Sequence, residues 1–270
     1  MVQSVADSRP KPVDEACALI ANDQLAASLW DMEMRAPVIA RDILPGQFVH
    51  MKIPGMDGRI LRRPFSVYAA DAEAGTLRIL YQVVGKGSEH MTTLVPGSVG
   101  GISVMGPMGN PWWLPEDAKR VLFVLGGVGA APLAMFGKQV VEAGVALDVC
   151  MGAQTKDALV LKAHYEREIG VQPVCATDDG TFGHAGFVTG PAEAMLREYA
   201  YDLVCCCGPE PLMRAASRLA LEADVPCQVS MEKRMACGIG ACLSCVVDTV
   251  DGRKRSCVDG PVFDARKVVW

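Results

Sequence analysis

The 270-residue chain has no long hydrophobic run, no excess of basic residues and few aromatic side chains, and each shortage excludes a class of function. No apolar stretch approaches the ~20 residues that cross a bilayer. The opening MVQSVADSRPKPVDEA has no apolar signal core, so a soluble, cytoplasmic protein without a membrane partner is expected. Lys and Arg number 26 against 31 Asp and Glu, a formal net charge of −5, which offers no electrostatic footprint for nucleic acid. The four histidines, His50, His90, His164 and His184, are scattered without metal-ligand spacing. Nothing is arranged as a nucleophile triad, so no catalytic side chain is expected and the chemistry falls to bound cofactors.

Half of the residues are hydrophobic and 21% are charged, ample for buried cores. The length predicts two or three compact units. SLWDMEMRA, GQFVHMKI, RRPFSVYAA, TLRILYQVV and GGISVMG read as short strands, and the alternation in LWDMEMRA and FVHMKI predicts one buried face. Such a series predicts a small antiparallel barrel or sandwich, with SEHMTTLV its one helical segment. After PWWLPEDAKR, apolar strands such as RVLFVLGG, ALDVCMGA and YDLVCCCG alternate with helices such as APLAMFGKQVVEAG and EPLMRAASRLALEAD. That pattern predicts a parallel sheet covered on both faces. The expected fold class is multidomain β and α/β, divided into residues 1–115, 116–225 and 226–270. The last segment is too short to bury much core and would need a metal centre to hold it. The residues before Cys17 are expected to be a frayed tail.

Eleven cysteines are many for a reducing compartment. Cys17, Cys150, Cys175, Cys205, Cys206, Cys207 and Cys227 are dispersed, and those in apolar strand-like runs read as small core residues. Cys237, Cys242, Cys245 and Cys257 have C-x4-C-x2-C-x11-C spacing, whose opening is the plant-type [2Fe–2S] signature. Gly238 and Gly240 give such a loop its backbone freedom. A zinc site from the same four cysteines is the alternative, although zinc sites favour a close pair in each half and Cys257 stands alone.

Arg63 and Ser66 alternate in RRPFSVY with Pro64 between them, and could present a cation and a hydroxyl to a ligand. In YQVVGKGSEH, amides of Gly87 and Ser88 at a short helix start would suit a pyrophosphate. Taken singly, the first also reads as barrel surface and the second as a capped turn. Gly126, Gly127 and Gly129 in RVLFVLGGVGAAPL would let a phosphate approach a helix, or serve only a tight strand-to-helix turn. The run is not G-x-G-x-x-G. CCGPEPLM repeats the theme at the end of a later strand, where open α/β sheets bind ligands.

Together RRPFSVY, YQVVGKGS, GPMGN, GGVGAAPL, CCGPEPLM, MACGIGACLSC and the terminal DGPVFDARKVVW resemble the ferredoxin–NADP reductase superfamily. Within it, from about residue 20 onward, they resemble the electron-transfer subunits of class 1B dihydroorotate dehydrogenases. The resemblance implies an FAD-binding barrel, an NAD-binding α/β domain and a [2Fe–2S] domain over the three segments above. It implies that Arg63, Pro64, Phe65 and Ser66 contact the flavin and its phosphates, that Leu80, Tyr81 and Gln82 line it, and that Gly87 and Ser88 hold the pyrophosphate. The chain departs at Gln82, where such subunits often carry a basic residue, and at Ser88, which replaces a common Thr and keeps the hydroxyl. Cys207, Gly208 and Pro209 would sit near the nicotinamide, with the glycines 126, 127 and 129 on the same cofactor. A 2′-phosphate would call for clustered cations, and MGAQTKDALV offers only Lys156 beside Asp157, which favours NAD over NADP. The implied partner is an FMN-containing catalytic subunit in a heterotetramer of two copies of each, serving pyrimidine synthesis. The alternative is the reductase subunit of a bifurcating complex or an oxygenase. Some bifurcating relatives replace the first cysteine with Asp, unlike Cys237, and oxygenase reductases carry a longer ferredoxin domain.

Overall fold

A computed structural model describes residues 10–56, 58–97 and 101–270, which divide into two compact units. One comprises residues up to Pro111 with 232–247 and 254–261; the other comprises Trp112–Met231 with 248–253 and 262–270.

The first unit is a closed six-stranded antiparallel barrel. Its strands are β1 (Val13–Ala26), β2 (Leu29–Arg35), β3 (Phe48–Lys52), β4 (Arg63–Asp71), β5 (Thr76–Gln82) and β6 (Ile102–Met108), in the spatial order β1-β2-β5-β4-β3-β6. Alternation sets the interior. Trp30, Met32 and Met34 on β2 pair with Tyr81, Ile79 and Leu77 on β5. Five of these six are buried and turn inward together. Closure falls to β1, whose residues Val13–Cys17 pair with β6 and whose remainder, from Ala18 on, pairs with β2 through an irregularity at Leu19–Ala21. Val13–Ala16 therefore belong to the barrel, where the sequence suggested a frayed tail; the first nine residues of that tail lie outside the described residues. The short helix α1 (Pro37–Asp42) escapes a periodicity search, and the Glu15 carboxylate accepts the Val38 and Ile39 amides at 3.1 and 3.0 Å. Helix α2 (Lys86–Met91) follows β5.

Strand β3 departs from the expected pattern. Phe48, Val49, His50 and Met51 are all buried, so both faces of this strand are covered, because chain from the C-terminal region lies against the outer one.

The second unit carries a seven-stranded sheet: β7 (Arg120–Gly126), β8 (Ala146–Ala153), β9 (Val174–Thr177), β10 (His184–Ala185), β11 (Leu203–Cys207), β12 (Cys227–Ser230) and β15 (Val262–Asp264). The order is β10-β9-β8-β7-β11-β12-β15, parallel except for β15 against β12. The helices are α3 (Ala131–Glu142), a single turn α4 (Lys162–His164), α5 (Thr189–Glu198) and α6 (Glu210–Glu222). A short hairpin, β13 (Val246–Thr249) and β14 (Gly252–Arg255), lies between β12 and β15 in sequence. Strand β11 is buried throughout, and all seven dispersed cysteines are buried, as small core residues should be. The chain runs from β7 outward through β8 and β9, then returns to build β11 and β12 on the other flank. The strand order thus reverses between β7 and β11.

The segment 226–270, read from the sequence as a unit of its own, is shared. Its cysteine-bearing stretches join the barrel unit, and β12 and β15 complete the sheet. A segment so short gains its burial by attaching to existing surfaces.

Candidate cofactor sites

On the barrel, β4 and α2 meet. A Cβ placed on Gly87 would stand 3.1 Å from Arg63 Nε, 3.5 Å from its Nη2 and 3.3 Å from Ile53 Cδ1. The guanidinium therefore lies against bare backbone at the start of α2. Its donors reach the Leu61 carbonyl. A fixed cation beside a glycine amide is a cradle for a diphosphate. Ser88 turns its hydroxyl back on the same turn, accepting the Val84 amide at 2.9 Å and the Gly85 amide at 3.2 Å. Pro64 and Ser66 pair with His50 and Phe48 on β3, and Phe65 meets the Tyr81 ring edge-on at 6.3 Å. Of the residues expected to line a flavin, Leu80 is buried and Gln82 exposed. Tyr81 points into the barrel, where its hydroxyl donates to Asn22 at 2.9 Å and burial pushes its pKa up.

The four clustered cysteines come together in the barrel unit. Among the described residues no three His, Cys, Asp or Glu side chains converge to hold a single metal ion. The thiols form pairs instead. The Cys242 amide donates to Cys237 Sγ at 3.4 Å, and Cys245 and Cys257 lie together in one apolar cluster. Two pairs of thiols match two irons better than one zinc. Burial opposes ionisation of Cys237, yet the amides of Cys242, Ile239 and Ala241 converge on its sulfur and bring its pKa down to about 7. Such a nest of N–H groups stabilises negative charge on sulfur. Cys257 goes the other way, raised to about 12 by burial and then by Cys245; a bound metal would deprotonate it outright.

The loop is anchored from two sides. Cys245 and Cys257 pack with Phe48 and Met108 in one apolar cluster, edged by Met105, Met235 and Val258. Gly238, at φ +73°, sits so near β3 that a Cβ would be 2.7 Å from His50 Nδ1 and 2.9 Å from Met108 Cε. Across the loop, Arg255 donates to the Gly240 carbonyl at 3.3 Å while its Nε donates to Asp259 at 2.9 Å. His50 is fully buried and neither ring nitrogen completes a hydrogen bond among the described residues. Burial first, then the charge of Arg62, lowers its pKa to about 4, so the ring is neutral.

In the sheet unit the two glycine-bearing strand ends are adjacent. A Cβ on Gly129 would stand 2.4 Å from the Cys207 carbonyl oxygen, and one on Gly126 2.5 Å from Leu212 and 3.0 Å from Pro209. These two glycines serve the close approach of β7 to the chain leaving β11. Gly127 differs: at φ +55° it has nothing within 4 Å of a Cβ position, leaving bare backbone open. Gly208, at φ +154°, closes the turn against Gly126. All of this lies at the carboxyl ends of neighbouring strands where the sheet order reverses, the position at which open α/β sheets bind nucleotides. Lys156 and Lys162 both lie over the Phe182 ring, at 5.8 and 5.7 Å from its centroid.

Residues 17–113 match the family described as the oxidoreductase FAD-binding domain. Residues 232–269 match the iron–sulfur cluster binding domain of dihydroorotate dehydrogenase B. The electron transfer subunit of dihydroorotate dehydrogenase B (NAD(+)) from Desulforamulus reducens is 36% identical over 93% of this chain and 97% of that protein. That from Geobacillus kaustophilus is 37% identical over 93% and 96%. The chain belongs to this family. It is an oxidoreductase subunit with an FAD-binding domain and an iron–sulfur domain. Among solved structures, an electron-bifurcating NADH-dependent reduced ferredoxin–NADP oxidoreductase superposes with a TM-score of 0.86 at 32% identity, over 95% of this chain and 90% of that one. The ferredoxin reductase of carbazole 1,9a-dioxygenase shares the fold at TM-score 0.66 and 23% identity, over 80% of this chain and 67% of that one. No helix among the described residues is long and apolar enough to cross a membrane.

Around the cysteine loop, the residues that the sequence did not single out are Phe48, His50 and Met108 of the barrel and Arg255. FVHMKI alternates as a one-faced strand does, so its pattern gave no signal that the outer face of β3 would also be covered.

Proposed function

We propose that this chain carries electrons between NAD and a separate FMN-containing catalytic subunit that holds dihydroorotate, in a cytoplasmic heterotetramer of two copies of each. When bound, nicotinamide exchanges a hydride, the cluster moves single electrons, and FAD converts between the two. The observation that carries the reading is the seating of the Cys245–Cys257 pair on Phe48 and Met108 of the flavin-domain barrel. Phe48 faces Ser66 of the Arg63–Ser66 strand across the β3–β4 pair.

In this reading Arg63 and the amides of Gly87 and Ser88 neutralise and orient the FAD diphosphate, while Pro64, Phe65, Ser66, Leu80, Tyr81 and Gln82 shape the flavin wall. Cys237, Cys242, Cys245 and Cys257 ligate the cluster. The N–H groups around Cys237 offset its charge, and Phe48 and Met108 exclude water from its inner side. Gly127 offers the open backbone to the NAD phosphates. Gly126, Gly129, Gly208 and Pro209 hold the β7 and β11 ends together, with Cys207 beneath them. Residues 1–115, 116–225 and 226–270 remain the FAD, NAD and cluster segments in functional terms. Cys242 is exposed between Ile239 and Leu243, 58% and 63% exposed, an apolar rim suited to a protein partner.

Anaerobic purification should yield one FAD and about two irons and two labile sulfides per chain. Mixing with the cognate FMN subunit should give NAD-linked dihydroorotate oxidation; a colourless zinc protein, or loaded subunits that fail to couple, would overturn the proposal. Cys242→Ser should retain NADH–flavin exchange and lose transfer to the partner.

A further inference from the structure

The barrel strand beneath the cluster loop carries an imidazole for which the protein supplies no use. His50 has no exposed surface, and both ring nitrogens lack a hydrogen-bond partner among the described residues. An unpartnered polar group in such a place destabilises the fold, and a barrel strand would ordinarily place an aliphatic residue there. The Arg62 side chain does not supply the partner. Its Nη1 donates to the His50 backbone carbonyl at 3.2 Å and to the Ser103 carbonyl at 3.0 Å, and its Nη2 to Asp14 at 2.6 Å.

The ring edge that carries Nδ1 faces the loop. A Cβ on Gly238, the residue after Cys237, would stand 2.7 Å from Nδ1, and the glycine, held at positive φ, leaves that gap free of a side chain. Met108 touches both sides, lying within 2.9 Å of a Gly238 Cβ position and packing with Cys245 and Cys257. The imidazole is thus enclosed by the cysteine loop, where loading would bring sulfide and turn the protein's own thiols into thiolates. Those sulfurs are acceptors only. A neutral imidazole has one N–H to give.

We propose that His50 is a positioning residue for the cluster, donating its Nδ1–H to a sulfur of the centre held by Cys237. A donor to sulfur stabilises the reduced, more negative form and raises the reduction potential. The loop's own N–H groups approach Cys237 from residues 239, 241 and 242; His50 would add a donor from the barrel side, which the spacing of the cysteines does not reveal.

The inference rests on the cluster assignment, and the experiment separates the two. The full chain is purified anaerobically with its flavin and cluster, and with 15N-labelled histidine. Pulsed EPR on the dithionite-reduced protein should show a 15N coupling to the cluster that disappears in His50→Gln. Redox titration of His50→Leu should show an approximately tenfold shift toward the oxidised cluster at a fixed poise, about 59 mV lower for a one-electron couple. His50→Gln, which restores an N–H donor, should recover part of that shift, whereas a purely structural role would give no such rescue. Iron and sulfide present without a histidine coupling in the wild-type protein would overturn the role of His50, and this measurement does not depend on any variant folding. Absence of iron and sulfide from the wild-type protein would instead overturn the cluster assignment on which it rests.

Discussion

Gly238→Ala isolates the contact between the cluster loop and the barrel. Two costs add. At φ +73° an L-residue pays a left-handed backbone penalty of about 1–2 kcal/mol. The new methyl would also stand 2.7 Å from His50 Nδ1 and 2.9 Å from Met108 Cε. The Met108 methyl can rotate aside, but the fully buried His50 ring has no room to do so. Overpacking of this kind adds about 1–3 kcal/mol, for a total of about 2–5 kcal/mol. Gly97→Ala is the matched control in the same unit, because Gly97 has φ +76° and nothing within 4 Å of a Cβ position. It should show the backbone penalty alone. Anaerobic thermal melts, read with iron and sulfide content, should therefore place Gly238→Ala below Gly97→Ala by about 2–4 °C for each kcal/mol of contact cost. Loss of cluster should accompany the larger effect. Equal melting temperatures with full iron in both variants would refute the packing argument.

Gly129→Ala should perturb the sheet more than Gly127→Ala, since its methyl would lie 2.4 Å from the Cys207 carbonyl while that of Gly127→Ala meets nothing and pays only the backbone penalty of its φ of +55°; melts and NADH affinity of both variants check this, Gly127→Ala being the one expected to weaken NADH out of proportion to its smaller fall in melting. Arg63→Gln should lower FAD affinity by roughly tenfold to a hundredfold, the worth of a lost charge-assisted contact, with little change in apoprotein stability, measured by flavin retention on dialysis. The amides of Lys119 and Arg120, at 2.7 and 2.9 Å, hold the Asp202 carboxyl below its ordinary range. Its stabilisation is therefore full above the unfolded carboxylate value and is lost as pH falls through the lower folded one. Asp202→Asn should lose that part of the acid dependence when denaturation midpoints are compared between neutral and acidic pH.

Local pattern determined much of this protein. Two-residue alternation in LWDMEMRA and TLRILYQ required a half-buried strand wherever it was placed, and unbroken apolar runs such as VLFVLG required a strand covered on both faces. The four cysteines carried their own spacing, and a loop of that length with glycines at 238 and 240 brings its amides onto Cys237 by short-range geometry. Other features depended on distant chain. Val13–Ala16 became strand only because β6 supplied a partner some ninety residues away in sequence. His50 looked like one scattered histidine of four until a loop nearly 190 residues later covered it. Gly126 and Gly129 could have served a ligand or a tight turn; β11 decided the matter by filling the space beside both and leaving Gly127 open. Side-chain periodicity is a property of neighbours in the chain, whereas burial of an outer face, an unpartnered imidazole and a glycine with no room for a methyl are properties of neighbours in space. The spacing of the four cysteines could therefore be read from sequence, while the surface that supports their loop could be read only from the fold.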